Sequence, residues 1–459
     1  AGFREFVWSG ASGPLGRPVS LLTFALQADH WPADPAAFKW VNLGLHLLAG
    51  MLVFAVVSSL ARLAGVRSRA AVLVIGGTTS ALWLLHPVQT ATVLYTVQRM
   101  TLLSSIFMLA ALQGYLILRI RYFASWRKGG FFLGSAVCAV LVVAALLSKE
   151  VAGSLVFYGV ALEFTLLARL RTNRAFTLGR KALPFMVVLL ALWFVVQLPE
   201  LQQTFASRFG YGPMQRLLTE SRILWYYLLH LLLPSQATTG IFVDFTPSVS
   251  LLAPVNSLLA VLGWCGLALL AILKRRQYPV PAFALFWFLG GHVLESTVLP
   301  LELVFNHRNY LPMLGPLFLL VWWVREAMRW VASHKQLSID PRVLPGLLMV
   351  WFIALGVQTW MTARLWHQPL ELALVWYSAN PDTQRNAEFF ANQLAATGAV
   401  DQAMQVYAAM LEKEPNRLRP YLSYLILSCY RDPGYTLSPE YSAAGIPEPQ
   451  FAETDLLGP

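Results

Sequence analysis

The chain has 459 residues, of which 57% are hydrophobic and only 12% charged, about half the roughly 25% charged share of a soluble domain. This composition excludes disorder, a coiled coil and a soluble globule, and it predicts an all-α, polytopic membrane protein. Sixteen Trp and sixteen Tyr suit the interfacial belts of such a protein, while three cysteines are too few for a disulfide framework.

Taken in chain order, apolar runs lie near 37–61, 70–85, 101–118, 130–147, 151–168, 182–199, 251–273, 280–299, 310–324 and 343–363. These are about ten spans, close to the roughly 20 residues that a crossing helix needs; 70–85 and 310–324 must borrow flanking residues. Residues 223–233 (ILWYYLLHLLL) are too short to cross and read as an interfacial or re-entrant helix.

The net charge of +11 does not mean nucleic acid, because of where the charge sits. Alternate loops carry Arg62, Arg67 and Arg69, then Arg119, Arg121, Arg127 and Lys128, then Arg169, Arg171, Arg174, Arg180 and Lys181. Lys274, Arg275 and Arg276 follow, and then Arg325, Arg329, Lys335 and Arg342. Only Glu163, Glu326 and Asp340 accompany these nineteen basic residues. By the positive-inside rule that set of loops is cytoplasmic. Residues 1–36 then fall outside with no apolar segment to carry them there, so an eleventh span is expected before Ala1.

After Trp366 the composition turns soluble, with six basic and eleven acidic residues over 364–459. The prolines Pro381 and Pro415 stand 34 apart, and Gly398, Ala403, Tyr407 and Ala408 fall where a tetratricopeptide hairpin needs small and packing residues. The chain therefore divides into a transmembrane domain, 1–366, and an extracytoplasmic helical-repeat domain, 367–459, with Tyr421–Tyr430 as the start of a second repeat. A lone repeat cannot bury its own face, so it must stack on a neighbour, on the membrane domain or on a partner.

Polar residues in or beside spans are costly and mark cavities or partners. Here they gather at the outer ends: Arg17, Asp29 and His30, Asn42, His46, His86, Gln98, Arg99, Lys149, Glu150, Arg222, Asp244, His292, Glu295, Glu302, and the run His307-Arg308-Asn309. The inner half offers mainly Glu163, expected to pair with Arg169 or Arg171. This one-sided distribution describes a cavity opening outward rather than a solute path. Clustered Arg and Lys suit phosphate, and a nearby carboxylate can take a proton from a hydroxyl. The bland alternatives are salt-bridged turns for Lys149 and Glu150, helix caps or lipid anchors for Arg17, Arg99 and Arg222, and hydrogen-bonded core positions for His46 and His230. No metal-ligand spacing, glycine-rich phosphate loop or GxSxG nucleophile is present.

In order, GRPVSLLTFAL, FKWVNLGLHLL, LLHPVQTATVLYTVQRMTLLSSIF, LLSKE and HRNYLP, followed by the repeat tail, resemble the GT-C membrane glycosyltransferases of the transmembrane-plus-tetratricopeptide, O-mannosyltransferase-like type. The VQRM and HRNYLP wording resembles the bacterial branch, which includes pilin and surface-protein glycosyltransferases. The resemblance covers nearly the whole chain. It implies a GT-C helix bundle in the bacterial inner membrane, with its active site and tail in the periplasm. The implied donor is a polyprenyl-phosphate-linked sugar, transferred with inversion to a hydroxyl of a protein acceptor that the tail helps to hold. A divalent cation is compatible with this chemistry, and the resemblance fixes no other cofactor.

The family's paired acidic motif in the first external loop has no counterpart in residues 1–36, where Asp29 and Asp34 follow RPVSLLTF; the primary catalytic Asp is expected before residue 1. Within the chain, Glu150, Glu295 and Glu302 are the candidate catalytic carboxylates. Arg99, Lys149, Arg222, His307 and Arg308 are candidates for the donor phosphate. Arg17, Asp29, His30, His86, Gln98 and Asn309 are candidates for shaping the site or binding sugar. The competing readings are a glycan ligase or polymerase using the same donors, and a transporter or flippase.

Overall fold

The computed structural model describes all residues except 1, 11, 32, 123–128, 171–176, 179–195, 198, 206–208, 236–242, 244, 298, 335–339, 341, 415–416 and 433–459. The described residues contain helices and no strand. Five helices are long and apolar enough to cross a membrane: Pro35–Leu63, Thr96–Arg121, Gly130–Ser148, Asn256–Lys274 and Val343–Leu365.

Two short helices open the chain, α1 (Phe3–Trp8) and α2 (Pro18–Ala25). The long α3 (Pro35–Leu63) starts where the Asp34 carboxylate accepts from the Ala36 and Ala37 amides at 3.1 and 3.3 Å, with Pro35 at its first position. It stops at Gly65, whose φ of 95° lets the Val66 amide reach back to the Ala61 carbonyl at 3.1 Å. Ser68 then caps α4 (Arg69–Leu84), which returns antiparallel along α3. The two backbones are close enough that a Cβ on Gly50 would strike Leu84, while the Ser80 hydroxyl bonds the Gly50 carbonyl at 2.7 Å. Small-residue packing of this kind joins helices where lipid offers no hydrophobic drive between them.

After the short α5 (Gln89–Leu94) comes α6 (Arg99–Arg121), the central post of the bundle: 67% of its apolar window is buried. Helix α7 (Gly129–Ser148), a 3-10 turn (Glu150–Ser154) and α8 (Leu155–Phe164) follow. Then come α9 (Pro213–Leu232), α10 (Asn256–Lys274), α11 (Pro279–His292), α12 (Leu314–Ser333) and the peripheral α13 (Val343–Leu365), of whose window 6% is buried. Four antiparallel helices form the tail: α14 (Pro369–Ala379), α15 (Gln384–Ala396), α16 (Val400–Lys413) and α17 (Leu418–Arg431).

Several expected spans differ from the structure. Run 151–168 is a 3-10 turn and a ten-residue helix, run 280–299 stops as a helix at His292, and run 182–199 lies almost wholly outside the described residues. Run 223–233 is only the second half of α9, a twenty-residue helix that starts at Pro213 behind Gly212. An apolar window finds the greasy half of such a helix and misses the polar half. Glu163 pairs with Arg119 at 2.6 Å, not with Arg169, and also accepts from the Tyr115 hydroxyl at 2.8 Å; Arg171 lies outside the described residues. His46 is a hydrogen-bonded core residue as expected, between the Tyr310 hydroxyl at 2.9 Å and the Leu84 carbonyl at 3.1 Å.

In the tail, Gly398 turns the chain at φ 86° between α15 and α16, which pack through Ala391, Leu394, Ala403 and Tyr407. Helix α17 covers the expected start of a further repeat unit. Pro415 lies outside the described residues.

Candidate functional site

The site grows from two polar links at one end of the bundle, opposite the arginine-rich turns. The first joins the N-terminal segment to the turn after α7. Arg17 caps α2 in the left-handed region at φ 50°, a conformation that costs a side-chain-bearing residue about 1–2 kcal/mol. From there its guanidinium meets the Glu150 carboxylate, with Nε at 2.9 Å and Nη2 at 2.8 Å. The other Glu150 oxygen accepts from the Leu15 amide at 3.3 Å. Burial works to raise the Glu150 carboxyl, but the Arg17 hydrogen bond and charge prevail and hold it below its usual value. Both side chains remain about a quarter exposed.

The second link is more enclosed. Lys149 donates to the Thr101 hydroxyl at 3.1 Å and stands 3.6 Å from Glu295. Thr101 donates in turn to Gln98 at 2.7 Å, which makes a short chain from Gln98 to Glu295. Burial pushes the Lys149 ammonium below its ordinary value, with the nearby Arg17 and Arg308 adding to it and Glu295 opposing.

Beneath these links, the described residues of the segment 293–309 are held by a buried trio. Arg216 donates Nε to the Thr297 carbonyl at 2.9 Å, Nη2 to the Glu295 and Glu302 carbonyls at 3.2 and 3.3 Å, and Nη1 to the Leu301 carbonyl. Arg308 donates to the Leu303 and Glu302 carbonyls at 2.8 and 2.5 Å. Glu220 lies between them, 2.8 Å from Arg216 and 3.8 Å from Arg308. The segment that follows is fixed from below by Trp83 and Trp287, whose indole N–H groups bond the Tyr310 and Leu311 carbonyls at 2.7 and 3.0 Å.

The structure therefore brings together the side chains of Arg17, Gln98, Lys149, Glu150, Glu295 and Arg308. Others stand apart from that group. Arg99 is fully buried and spends its donors on Asn42 at 3.0 Å and on the Thr23 and Phe38 carbonyls, each at 3.1 Å. His86 is buried against the Leu231 carbonyl at 2.9 Å. Arg222 holds the Thr246 carbonyl and the Ser248 hydroxyl, each at 3.1 Å. Asp29 and His30 are exposed in a 3-10 turn, where His30 stands 3.8 Å from Asp34. His307, by contrast, lies within electrostatic reach of Lys149 and Arg308 while it stacks on Phe305 with ring centroids 5.0 Å apart, and Asn309 is buried at the end of the same turn. The Glu302 carboxylate pairs with Arg385 of α15 in the tail.

Sequence reading missed Arg216 and Glu220. Their signal was present as an Arg and a Glu four apart on one helix face in PMQRLLTES, a spacing that favours an ion pair. Among the described residues no group of three His, Cys, Asp or Glu is placed to hold a metal ion.

Fold and site together define a helical chain with membrane-length apolar helices and a compact ionic network at one end. Comparison with family models, with curated proteins and with solved structures gives no match.

Proposed function

We propose that the chain is a membrane glycosyltransferase that moves a sugar from a polyprenyl-phosphate donor to a hydroxyl of an extracytoplasmic protein, with inversion. The observation that carries this reading is the pairing of Lys149 with Glu295 beside Arg17 with Glu150: two carboxylates and two cations within one partly exposed group. Residues that are merely structural at this end, such as Arg99, have every guanidinium nitrogen engaged by the fold. Lys149 has one hydroxyl partner and a looser ion pair, so it can turn to a phosphate.

In the reaction the bond between the anomeric carbon and the phosphate oxygen breaks, and the electron pair leaves with the phosphate. Lys149 and Arg17 stabilise the charge that collects there. The acceptor oxygen bonds the anomeric carbon from the opposite face and gives its proton to a carboxylate, for which Glu295 is better enclosed than Glu150. Arg216, Arg308 and Glu220 position Glu295 by holding its segment. The order of the GRPVSLLTFAL to HRNYLP motifs supports the same reading.

The test is transfer of labelled sugar from a polyprenyl-phosphate conjugate by purified protein in detergent. The expected result is transfer by the wild type and a loss of at least about a hundredfold in Glu295→Gln, the scale of a lost general base. Folded protein that transfers nothing from any such donor contradicts the reading.

A further inference from the structure

At the other end of the bundle, a cleft opens between the C-terminal turn of α3 (Leu63, Gly65), the turn after α8 (Phe164, Leu166) and the junction of α10 with α11. Arg169, Arg275 and Arg276 line it. Two of the three are set in place by the fold. Arg169 donates to the Arg276 carbonyl at 2.6 Å, and the Arg275 guanidinium lies 4.8 Å from the centre of the Phe164 ring. Among the described residues no carboxylate pairs with any of them. The acid closest in sequence, Glu163, is taken by Arg119 and Tyr115. Three positive charges thus share one recess without a counter-ion among the described residues.

Apart from Thr165, the other side chains that line the cleft are apolar. Leu63, Phe164 and Leu166 form part of the wall. The last turns of α10 leading to Arg275 expose Leu269, Leu270, Ile272 and Leu273. A ligand that suits both parts has a phosphate at one end and hydrocarbon at the other. We infer that this cleft is a binding site for an anionic phospholipid, whose phosphate meets Arg169, Arg275 and Arg276 and whose acyl chains lie along the exposed face of α10. The site is remote from the Lys149–Glu295 network and does not depend on its function, although it does require that α10 lie in a membrane. Arginine suits the phosphate because its fork of donors matches the phosphate oxygens, and a basic recess between helix ends attracts anionic headgroups.

The test is native mass spectrometry of the full chain, released from detergent with phosphatidylglycerol or phosphatidylcholine. Wild type is expected to retain phosphatidylglycerol over phosphatidylcholine. Arg169→Ala/Arg275→Ala/Arg276→Ala should weaken that retention by about a hundredfold, from the combined attraction of three interfacial cations. Arg121→Ala/Arg329→Ala/Arg342→Ala removes the same charge elsewhere and should retain the lipid. Equal loss in both triple variants, or equal retention of the two lipids by wild type, overturns the inference. Competition by millimolar inorganic phosphate alone, with no contribution from acyl chains, would show a free phosphate site and overturn the lipid assignment.

Discussion

Glu302 is bonded from two sides: its carbonyl accepts from Arg308 at 2.5 Å and from Arg216 at 3.3 Å, while its carboxylate pairs with Arg385, 83 residues away on the tail. One residue thus joins the segment that carries Glu295 to the helical tail. The Glu302 and Arg385 side chains are both more than a third exposed, so the pair adds little to global stability, at most about 1 kcal/mol. Its effect should be local. Arg385→Ala is expected to leave the melting temperature almost unchanged and to speed amide exchange over residues 293–305. Hydrogen-exchange mass spectrometry checks this; unchanged exchange in that segment would contradict it.

The Arg216–Glu220 pair behaves differently because both side chains are almost completely buried. Removing one partner strands a charge. Arg216→Ala leaves Glu220 with only Arg308 at 3.8 Å and should destabilise the protein by about 3–5 kcal/mol, whereas Arg216→Met/Glu220→Leu/Arg308→Met, which removes all three buried charges, should cost less than the single change. Thermal unfolding of the three proteins in one detergent decides between these outcomes.

Acid should weaken the Arg17–Glu150 link. The Glu150 carboxyl is held below its ordinary value of 4.5 in the fold, so the stability it contributes is present above that value. It is lost as pH falls through the lowered one. Glu150→Gln should therefore melt below wild type at pH 7, and the two curves should converge as pH falls through that lowered value. Gly13 gives a second check. A Cβ there would lie 2.8 Å from a Glu150 oxygen, and its φ of 131° disfavours any side chain. Gly13→Ala should reproduce the loss, by about 1–3 kcal/mol.

Base should act through Lys149. Burial lowers this ammonium below its ordinary 10.5, so the charge offered to a phosphate is lost at a lower pH than a free lysine would show. Transferase activity is expected to fall on an alkaline limb with its midpoint below 10.5, and Lys149→Arg, which stays charged, should move that limb upward. A limb that ignores this substitution would remove Lys149 from the donor site.

Helix-forming runs were legible where they were long, apolar and well capped, as in α3 with Asp34 before it and Gly65 after it. The ten-residue α8 and the helix end at His292 were not, because hydropathy continues past the point where the backbone turns. Lys149, Glu150 and Glu295 could be singled out because charge beside a span is rare. What separated them from Arg99 could not be read, since the Thr23 and Phe38 carbonyls that occupy Arg99 belong to segments 61 and more residues away. Arg216 was hidden for a related reason. Its partners are backbone carbonyls in a loop about 80 residues on, and carbonyls leave no trace in residue type.

The most direct measurement is a structure of the chain incubated with a polyprenyl phosphate. The account predicts phosphate density within hydrogen-bonding distance of Lys149 and Arg17, with the Lys149–Glu295 contact opened and Glu295 facing the space where the sugar would sit. Phosphate bound elsewhere, with the Lys149–Glu295 and Arg17–Glu150 pairs intact, would contradict it.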